Sequence, residues 1–256
     1  QGVESTGRGF AKALVRGGLH VFALQDYHSR IRGGHNFYQI RVADHDIYSH
    51  NELVHLLLAF TKEAIAEHLR EIVPGGGIIY DPELQVDQEA LATRSVRAFP
   101  IPLNQIATEE GGSKVMSNTA ATGAAAGLTG FDLELINSVI RDNFEKKGSA
   151  MVESNLRVAA AAYHFVREKY GSSFDFQLQR QKTAPRMLIS GNEALALGAL
   201  MAGCKFVAGY PMTPGSPILE WFSTHSKDYG IVTTHTEDEI AAINMVIGAA
   251  QMGVRA

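Results

Sequence analysis

The sequence predicts an α/β protein built from two domains. Short apolar segments bounded by turn residues, which are typical of buried strands, alternate along the chain with segments of helical periodicity. Strands and helices that alternate in this way form layered sheets with crossover connections. A polar stretch interrupts the periodicity near residue 175, so we predict a first domain over residues 1–175, a linker over 171–186 and a second domain over 187–256.

The first domain is predicted to open with a helix, through Phe10 and Leu14, that ends at Gly17-Gly18. A small-residue run at 120–127 allows close packing between later helices. The other predicted elements are strands at 19–24, 36–42 and 77–81 and helices at 53–72, 132–147 and 151–170. The helix at 53–72 is expected to end at the Pro-Gly-Gly-Gly run that begins at Pro74.

The second domain is predicted to alternate in the same way, with a final helix that is apolar nearly all round and therefore expected to be buried. The predicted strands are 187–190, 205–209 and 230–234, and the helices are 192–201, 217–224 and 237–254. A domain of roughly 70 residues covers such a sheet poorly. We therefore expect this domain to be incomplete as given.

Composition excludes several classes of function. A net charge of -4 gives no electrostatic reason to expect a nucleic-acid partner, and no apolar run approaches the roughly 18 to 20 residues of a membrane span. The first residues show no basic region followed by an apolar stretch, so no signal peptide is expected in them. One cysteine, Cys204, makes neither an internal disulfide nor an iron–sulfur site, so we expect a cytoplasmic protein with any metal cluster on another chain.

Two glycine-containing segments of the first domain are candidate anion sites. Gly2 and Gly7 have the glycine spacing of a phosphate loop, but Arg8 stands where lysine belongs and Gly9 where serine or threonine belongs, so the segment fails as a nucleoside-triphosphate site. A helix start that binds another anion, or tight packing, both remain open. In the second segment, Arg30 and Arg32 precede Gly33 and Gly34, which suits a carboxylate or phosphate; a solvated turn is the alternative.

The strongest candidate site lies in the second domain. The segment Tyr210–Pro217 has three prolines that stiffen a loop directly after a strand, where α/β sheets place their ligands, and it presents the hydroxyls of Tyr210, Thr213 and Ser216. The other interpretation is a stiff connection. Thr236 and Glu239 have the spacing of a capping box at the start of the last helix. A glutamate at the end of a buried helix nevertheless needs a partner, such as a ligand nitrogen.

Other side chains give no site. His45, His50 and His55 recur every five residues, which would put them on different faces of a helix, so these three alone are not expected to form a metal site. Cys204 has no histidine nearby in the sequence and is predicted to be a buried small side chain.

Taken together, these segments resemble the 2-oxoacid:ferredoxin oxidoreductases. The glycine-rich start and Arg32-Gly33-Gly34 resemble the gamma domain of that family, although the family's opening is usually fuller before its Gln-Gly. The later segments look like the start of its alpha subunit, with Met212 for isoleucine and Gly215 for serine; they are 191–194, 210–214 and 237–239. The order gamma then alpha is that of fused alpha subunits, often of 2-oxoglutarate type.

The resemblance implies a Rossmann-like gamma-type domain followed by an incomplete pyrimidine-binding-type domain of a thiamine-diphosphate enzyme. It implies that Glu239, or less well Glu237, hydrogen-bonds the aminopyrimidine of thiamine diphosphate. It also implies that Thr213, in the loop with Tyr210 and Ser216, holds the carboxylate of the 2-oxoacid. Arg30 and Arg32 are assigned to contact with coenzyme A.

For the whole enzyme the resemblance implies oxidative decarboxylation of a 2-oxoacid to an acyl-coenzyme A, with the electrons passing to ferredoxin. A separate beta subunit is expected to bind most of the thiamine diphosphate and Mg²⁺ and to hold an iron–sulfur cluster in a hetero-oligomer. The family's later substrate-binding arginine is absent, so this chain alone should be inactive. A dinucleotide-binding dehydrogenase and a non-catalytic assembly module are the rival hypotheses; no Gly-x-Gly-x-x-Gly run supports the first.

Overall fold

The computed structural model describes residues 2–27 and 34–256, which form two compact units divided between Leu188 and Ile189. Both units contain parallel strands with helices between them. The prediction of an α/β fold is confirmed. Within the described residues, no helix has the length and hydropathy that a bilayer crossing needs.

The predicted helix through Phe10 and Leu14 is present and ends where it was predicted to end, but it begins earlier and so includes Gly7 and Gly9. Helix α1 (Val3–Arg16) ends at Gly17 and is followed by strands β1 (His20–Tyr27) and β2 (Asn36–Ala43), which pair antiparallel. The buried face of α1 contains Leu14, which packs with Leu19 and Phe131 in one hydrophobic cluster. The amphipathic spacing of α1 is therefore a consequence of burial on one side.

The middle of the first unit differs from its prediction. The expected helix at 53–72 is wrong: the chain forms strand β3 (Val54–Ala59), helix α2 (Lys62–His68) and then strand β4 (Ile72–Tyr80). Leu56, Leu57 and Leu58 are consecutive apolar residues, which a strand of a parallel sheet accommodates on both faces. Thr61 begins α2, because its hydroxyl accepts the N–H of Ala64 at 3.1 Å.

The sequence predicted that the Pro-Gly-Gly-Gly run would end a helix. This prediction is wrong, because the run lies inside β4. Strand β4 is the middle strand of a parallel sheet, between β3 and β5 (Arg97–Pro100), and short helix α3 (Gln88–Thr93) connects it to β5. The register of β3 on β4 shifts between Val54 and Leu56. The glycines therefore accompany an irregularity in the ladder that local pattern does not reveal.

Four helices complete the first unit, and the predicted close packing occurs between two of them. They are α4 (Leu103–Gly111), α5 (Ser117–Leu128), α6 (Leu133–Phe144) and α7 (Ser149–Tyr170). A Cβ added to Gly123 of α5 would lie 2.2 Å from the carbonyl oxygen of Ala159 on α7. Helices α5 and α7 are thus in backbone contact, which only a residue without a side chain permits here.

Residues 171–190 contain neither helix nor strand, yet part of this segment packs on the first unit. The ring of Phe174 is 1% exposed within the main hydrophobic cluster. The side chain of Gln177 donates to the carbonyl of Leu128 at 3.1 Å, and the N–H of Gln181 donates to the carbonyl of Gly17 at 2.7 Å. The segment predicted as a linker therefore includes an anchored strap.

The second unit contains two strands and three helices. Helix α8 (Gly191–Met201) precedes strand β6 (Phe206–Gly209), helix α9 (Ser216–Tyr229), strand β7 (Val232–His235) and helix α10 (Glu239–Gln251). The strand predicted at 187–190 is absent. Ser190 instead caps α8, because its hydroxyl accepts the N–H of Glu193 at 3.2 Å while the Glu193 carboxylate accepts the N–H of Ser190 at 2.8 Å.

Candidate functional site at the carboxyl edge of the second sheet

The two strands of the second unit end side by side. Strands β6 and β7 are parallel, and Gly209 is the register partner of His235. One residue further on, the N–H of Thr236 donates to the carbonyl of Gly209 at 3.0 Å. The proline-rich loop and the entry to α10 therefore leave the same sheet edge, where open α/β sheets bind ligands.

The loop from Tyr210 to Ser216 presents polar groups at this edge. Its last turn is closed by the carbonyl of Met212, which accepts the N–H groups of Gly215 at 2.8 Å and Ser216 at 3.0 Å. Tyr210 is 39% exposed and Thr213 is also exposed. Among the described residues, the hydroxyls of Tyr210, Thr213 and Ser216 have no hydrogen-bond partner, so all three are available to a ligand.

The start of α10 is arranged differently from its prediction. Asp238, not Thr236, caps the helix, because the Asp238 carboxylate accepts the N–H of Ala241 at 2.6 Å. The buried Thr236 hydroxyl donates instead to the carbonyl of Asp238 at 2.9 Å. Glu239 is the first residue of the helix and is not part of a capping box. The sequence spacing predicted Thr236 as the N-cap. That prediction is wrong because Asp238, two positions later, is an equally good capping residue.

The predicted burial of α10 is wrong for this chain. No residue of the helix is buried, and Ile240 and Ile243 are 74% and 54% exposed. A unit of two strands and three helices has too few layers to cover the helix on every side. Glu239 is likewise exposed. The acid is therefore not buried, contrary to the expectation from the sequence.

Glu239 is nevertheless free to bind a ligand. Among the described residues no donor contacts its carboxylate, whereas the carboxylate of neighbouring Asp238 is occupied by the cap. The position at the first turn of α10 favours a negative charge through the helix dipole. A carboxyl group at this edge with no protein partner can donate a hydrogen bond to a ring nitrogen when it is protonated, or accept one from a protonated ring nitrogen when it is ionised.

The glycine-rich start of the first unit is not a loop. Gly7 and Gly9 lie within α1, so the phosphate-loop pattern has no structural counterpart. A Cβ at Gly7 would lie 2.3 Å from Cδ1 of Tyr38, whose ring packs against the helix at this point. Tight packing thus accounts for Gly7.

A cleft of 1480 Å³ in the first unit is lined by residues of β2 and β3 and by the first turns of α1. Gly34 is one of the residues that line this cleft, and it is exposed. Arg30, Arg32 and Gly33, which were predicted to contact an anion together with Gly34, lie outside the described residues.

The same cleft contains a polar chain that the sequence did not reveal. Nε2 of His35 and Nε2 of His68 are 2.7 Å apart, and Nδ1 of His68 is 2.8 Å from the carboxylate of Glu71. His35 follows the predicted anion segment directly, but His68 lies 33 residues further along the chain, so the sequence gives no sign that the two histidines meet. The end of α2 lies beside the start of β2, where the ring centroids of Phe37 and His68 are 4.9 Å apart, and this proximity brings the two histidines together.

The other residues considered in the sequence form no site in the part of the chain that the structure describes. No group of three or more His, Cys, Asp or Glu side chains there is arranged to hold a metal ion. Cys204 is 8% exposed, and its thiol faces the carbonyl of Phe206 at 3.4 Å. It packs as the predicted small buried side chain.

Comparison with known families decides what this architecture is. Residues 1–165 match the family described as pyruvate ferredoxin/flavodoxin oxidoreductase, which covers more than half of the chain. The chain belongs to this family. Residues 197–256 match a second model, the thiamine-diphosphate-binding domain of the pyruvate flavodoxin/ferredoxin oxidoreductases. That region contains the Tyr210–Ser216 loop and Glu239.

Relatives of known name support the resemblance noted in the sequence. The alpha subunit of 2-oxoacid:ferredoxin oxidoreductase 2 from Aeropyrum pernix is 26% identical over 314 aligned positions, which span 100% of this chain and 48% of that protein. The chain therefore spans about half the length of the curated relatives it matches.

Two solved structures show the same fold. The 2-oxoglutarate:ferredoxin oxidoreductase from Magnetococcus marinus, with 2-oxoglutarate, coenzyme A and succinyl-CoA bound, has a TM-score of 0.88 and is 29% identical. The match covers 99% of this chain and 44% of that one. The gamma subunit of a keto/oxoacid ferredoxin oxidoreductase from Geobacter sulfurreducens has a TM-score of 0.54 at 21% identity and covers 65% of this chain and 92% of its own. The second likeness shows that the first unit has the gamma-type fold.

Proposed function

We propose that this chain is part of the alpha subunit of a 2-oxoacid:ferredoxin oxidoreductase of the fused gamma–alpha type, acting on 2-oxoglutarate. The observation that supports this most directly is the shared sheet edge, where Gly209 and Thr236 join the hydroxyl-bearing loop to the entry of α10. The match to a thiamine-diphosphate-binding domain over residues 197–256 supports thiamine diphosphate as the cofactor at that edge. Substrate and cofactor groups would thus meet at one place.

In this proposal Glu239 accepts a hydrogen bond from, or donates one to, the aminopyrimidine ring of thiamine diphosphate. Bound thiamine diphosphate supplies the carbon nucleophile for the 2-oxo group of the substrate. Glu239 shares a proton with the pyrimidine nitrogen through this hydrogen bond. That role requires a carboxyl group to which no protein donor is already hydrogen-bonded. Thr213 hydrogen-bonds the substrate carboxylate, and Tyr210 and Ser216 line the same loop.

The remaining parts of the enzyme are proposed to lie on other chains. A beta subunit would bind the diphosphate with Mg²⁺ and hold the iron–sulfur cluster, because the single cysteine of this chain cannot supply four thiolates. The product would be an acyl-coenzyme A, with electrons passing to ferredoxin. The assembly would be a cytoplasmic hetero-oligomer of alpha and beta chains.

Arg30, Arg32, Gly33 and Gly34 are proposed to contact an anionic group of coenzyme A. The support is the proximity in sequence of two arginines and two glycines, together with the presence of Gly34 in the lining of the large cleft. We expect the Arg30→Ala/Arg32→Ala double variant of the assembled enzyme to raise the KM for coenzyme A by about tenfold or more, as expected for lost charged hydrogen bonds. The KM for the 2-oxoacid should stay unchanged; an equal rise in both would contradict the assignment.

The decisive experiment replaces Glu239 with glutamine in the full alpha subunit assembled with its beta subunit. We expect turnover of 2-oxoglutarate to fall by roughly 100-fold or more, because a positioned acid–base group contributes about that much. Size-exclusion chromatography should show an intact complex. Glu237→Gln is the matched control, since Glu237 is exposed two residues away, and should retain turnover.

The same pair of variants separates the alternatives. If the chain is a non-catalytic assembly module, Glu239→Gln turns over normally. If Glu237 is the cofactor ligand, the two variants exchange their effects. The dinucleotide-binding hypothesis finds no support in the matched families.

A further inference from the structure

A hydrogen bond connects helix α8 to the loop that bears Thr213. Nδ2 of Asn192 donates to the carbonyl oxygen of Pro214 at 3.0 Å. Asn192 is the second residue of α8, and Pro214 immediately follows Thr213 in the chain. The bond therefore crosses 22 residues of sequence and holds the loop at the peptide next to the proposed substrate-binding hydroxyl.

Asn192 is itself held in place. The two reciprocal hydrogen bonds between Ser190 and Glu193, at 3.2 and 2.8 Å, fix the first turn of α8 on either side of it. The carbonyl of Ser190 also accepts the N–H of Ala194 at 2.9 Å. A side chain on the first turn of a capped helix is a rigid support for a loop.

The loop benefits from such a support because it has few hydrogen-bond donors of its own. Pro211 and Pro214 have no N–H, so neither can donate to a neighbouring strand or helix. Its internal hydrogen bonds converge on the carbonyl of Met212, and Thr236 fixes only the residue that precedes the loop. The Asn192 side-chain amide lies outside the loop and donates to the carbonyl oxygen of Pro214, between Thr213 and the start of α9.

We propose that Asn192 is a positioning residue that holds the Tyr210–Ser216 loop in the conformation that presents Thr213 to the 2-oxoacid. This inference rests on the proposed function, which assigns the 2-oxoacid carboxylate to Thr213. Asn192 acts through the loop and is assigned no contact with the substrate. Its amide matters because it donates a hydrogen bond that a carboxylate of the same shape cannot donate.

The test uses Asn192→Asp and Asn192→Ala in the assembled alpha–beta enzyme. Asn192→Asp preserves size and places a negative charge at a helix start, where it is favourable, so a loss cannot come from a weakened helix. Both variants should raise the KM for 2-oxoglutarate by about three- to tenfold, the loss expected for one neutral hydrogen bond. We expect kcat to change by less than about twofold.

A second readout follows the loop directly. Hydrogen exchange of the amides of Gly215 and Ser216 in the assembled enzyme should accelerate in both variants, because opening of the loop becomes easier. Exchange in α10 should not change. A variant that merely misfolds would lose kcat and accelerate exchange throughout the second unit, which distinguishes a general structural defect from positioning.

A double-mutant cycle with Thr213→Val completes the test. If Asn192 acts through Thr213, the KM of the double variant should match that of Thr213→Val alone. Additive effects on KM would overturn the inference, as would an unchanged KM in either single variant. An effect confined to Asn192→Asp would also overturn it, because charge would then be the cause. Failure of the proposed function is distinguishable, since the unmodified complex would then not oxidise 2-oxoglutarate at all.

Discussion

The N–H of Thr236 donates to the carbonyl of Gly209 at 3.0 Å, one residue beyond the last register pair of strands β6 and β7. This bond extends the parallel ladder past both strands. The loop that begins at Tyr210 and the turn that leads to Glu239 consequently start from adjacent points. Two segments separated by more than 20 residues of sequence are thereby brought to one edge.

The cap of α10 provides a test of how the entry to that helix is built. Asp238→Ala should lower the free energy of unfolding by about 1 kcal/mol, because the N–H of Ala241 loses its acceptor. Asp238→Asn, the matched control, retains an acceptor and should stay within a few tenths of a kcal/mol of the unmodified protein. Urea-induced unfolding followed by circular dichroism measures both. Equal stability of the two variants would show that Asp238 is not the cap.

Two glycines of α1 give a matched pair for packing. Gly7→Ala should destabilise the protein by about 1–3 kcal/mol, because the new Cβ would overlap the ring of Tyr38. Gly9→Ala meets its nearest atoms at 3.8 Å and should be neutral or stabilising by up to about 1 kcal/mol, since alanine is the better helix former. Thermal unfolding of both variants is the measurement. A Gly7→Ala variant as stable as Gly9→Ala would refute the close approach of Tyr38.

The pH dependence of stability should report the contact between α1 and α6. Hydrogen bonds from Lys12, at 2.9 Å, and from Arg16 lower the pKa of Asp142 below its usual range. A lowered pKa in the folded state means that the stabilisation is present above about pH 4 and is lost as the pH falls through the folded pKa. Because Asp142 is exposed, the effect should be below about 1 kcal/mol.

Asp142→Asn should accordingly be less stable than the unmodified protein at pH 7, and the difference should shrink toward zero in acid. Glu153→Gln on α7 is a suitable control, because its exposed carboxylate has no partner among the described residues. Denaturant unfolding at several pH values compares the three proteins. A stability difference for Asp142→Asn that persists unchanged in acid would contradict an ion-pair origin.

The spacing of apolar residues predicted helices correctly where a helix buries one face and exposes the other. Helices α6 and α7 were predicted within a few residues of their observed bounds. The end of α1 at Gly17 was also predicted, but its start at Val3 was not. The region 53–72 failed because a run of leucines fits a buried helix and a buried strand equally well. The pairing of β3 with β4, which decides between them, involves residues that lie about 20 positions apart.

By itself the sequence determined the alternating α/β order, the stiff proline loop, the family resemblance and the acid at the start of the final helix, because each follows from a few neighbouring residues. The tertiary structure alone decided that Asp238 caps that helix, that Asn192 holds the loop at Pro214, and that α10 remains exposed. These outcomes depend on which atoms meet across the fold and on how many layers cover each element. Neither quantity is encoded in spacing along the chain.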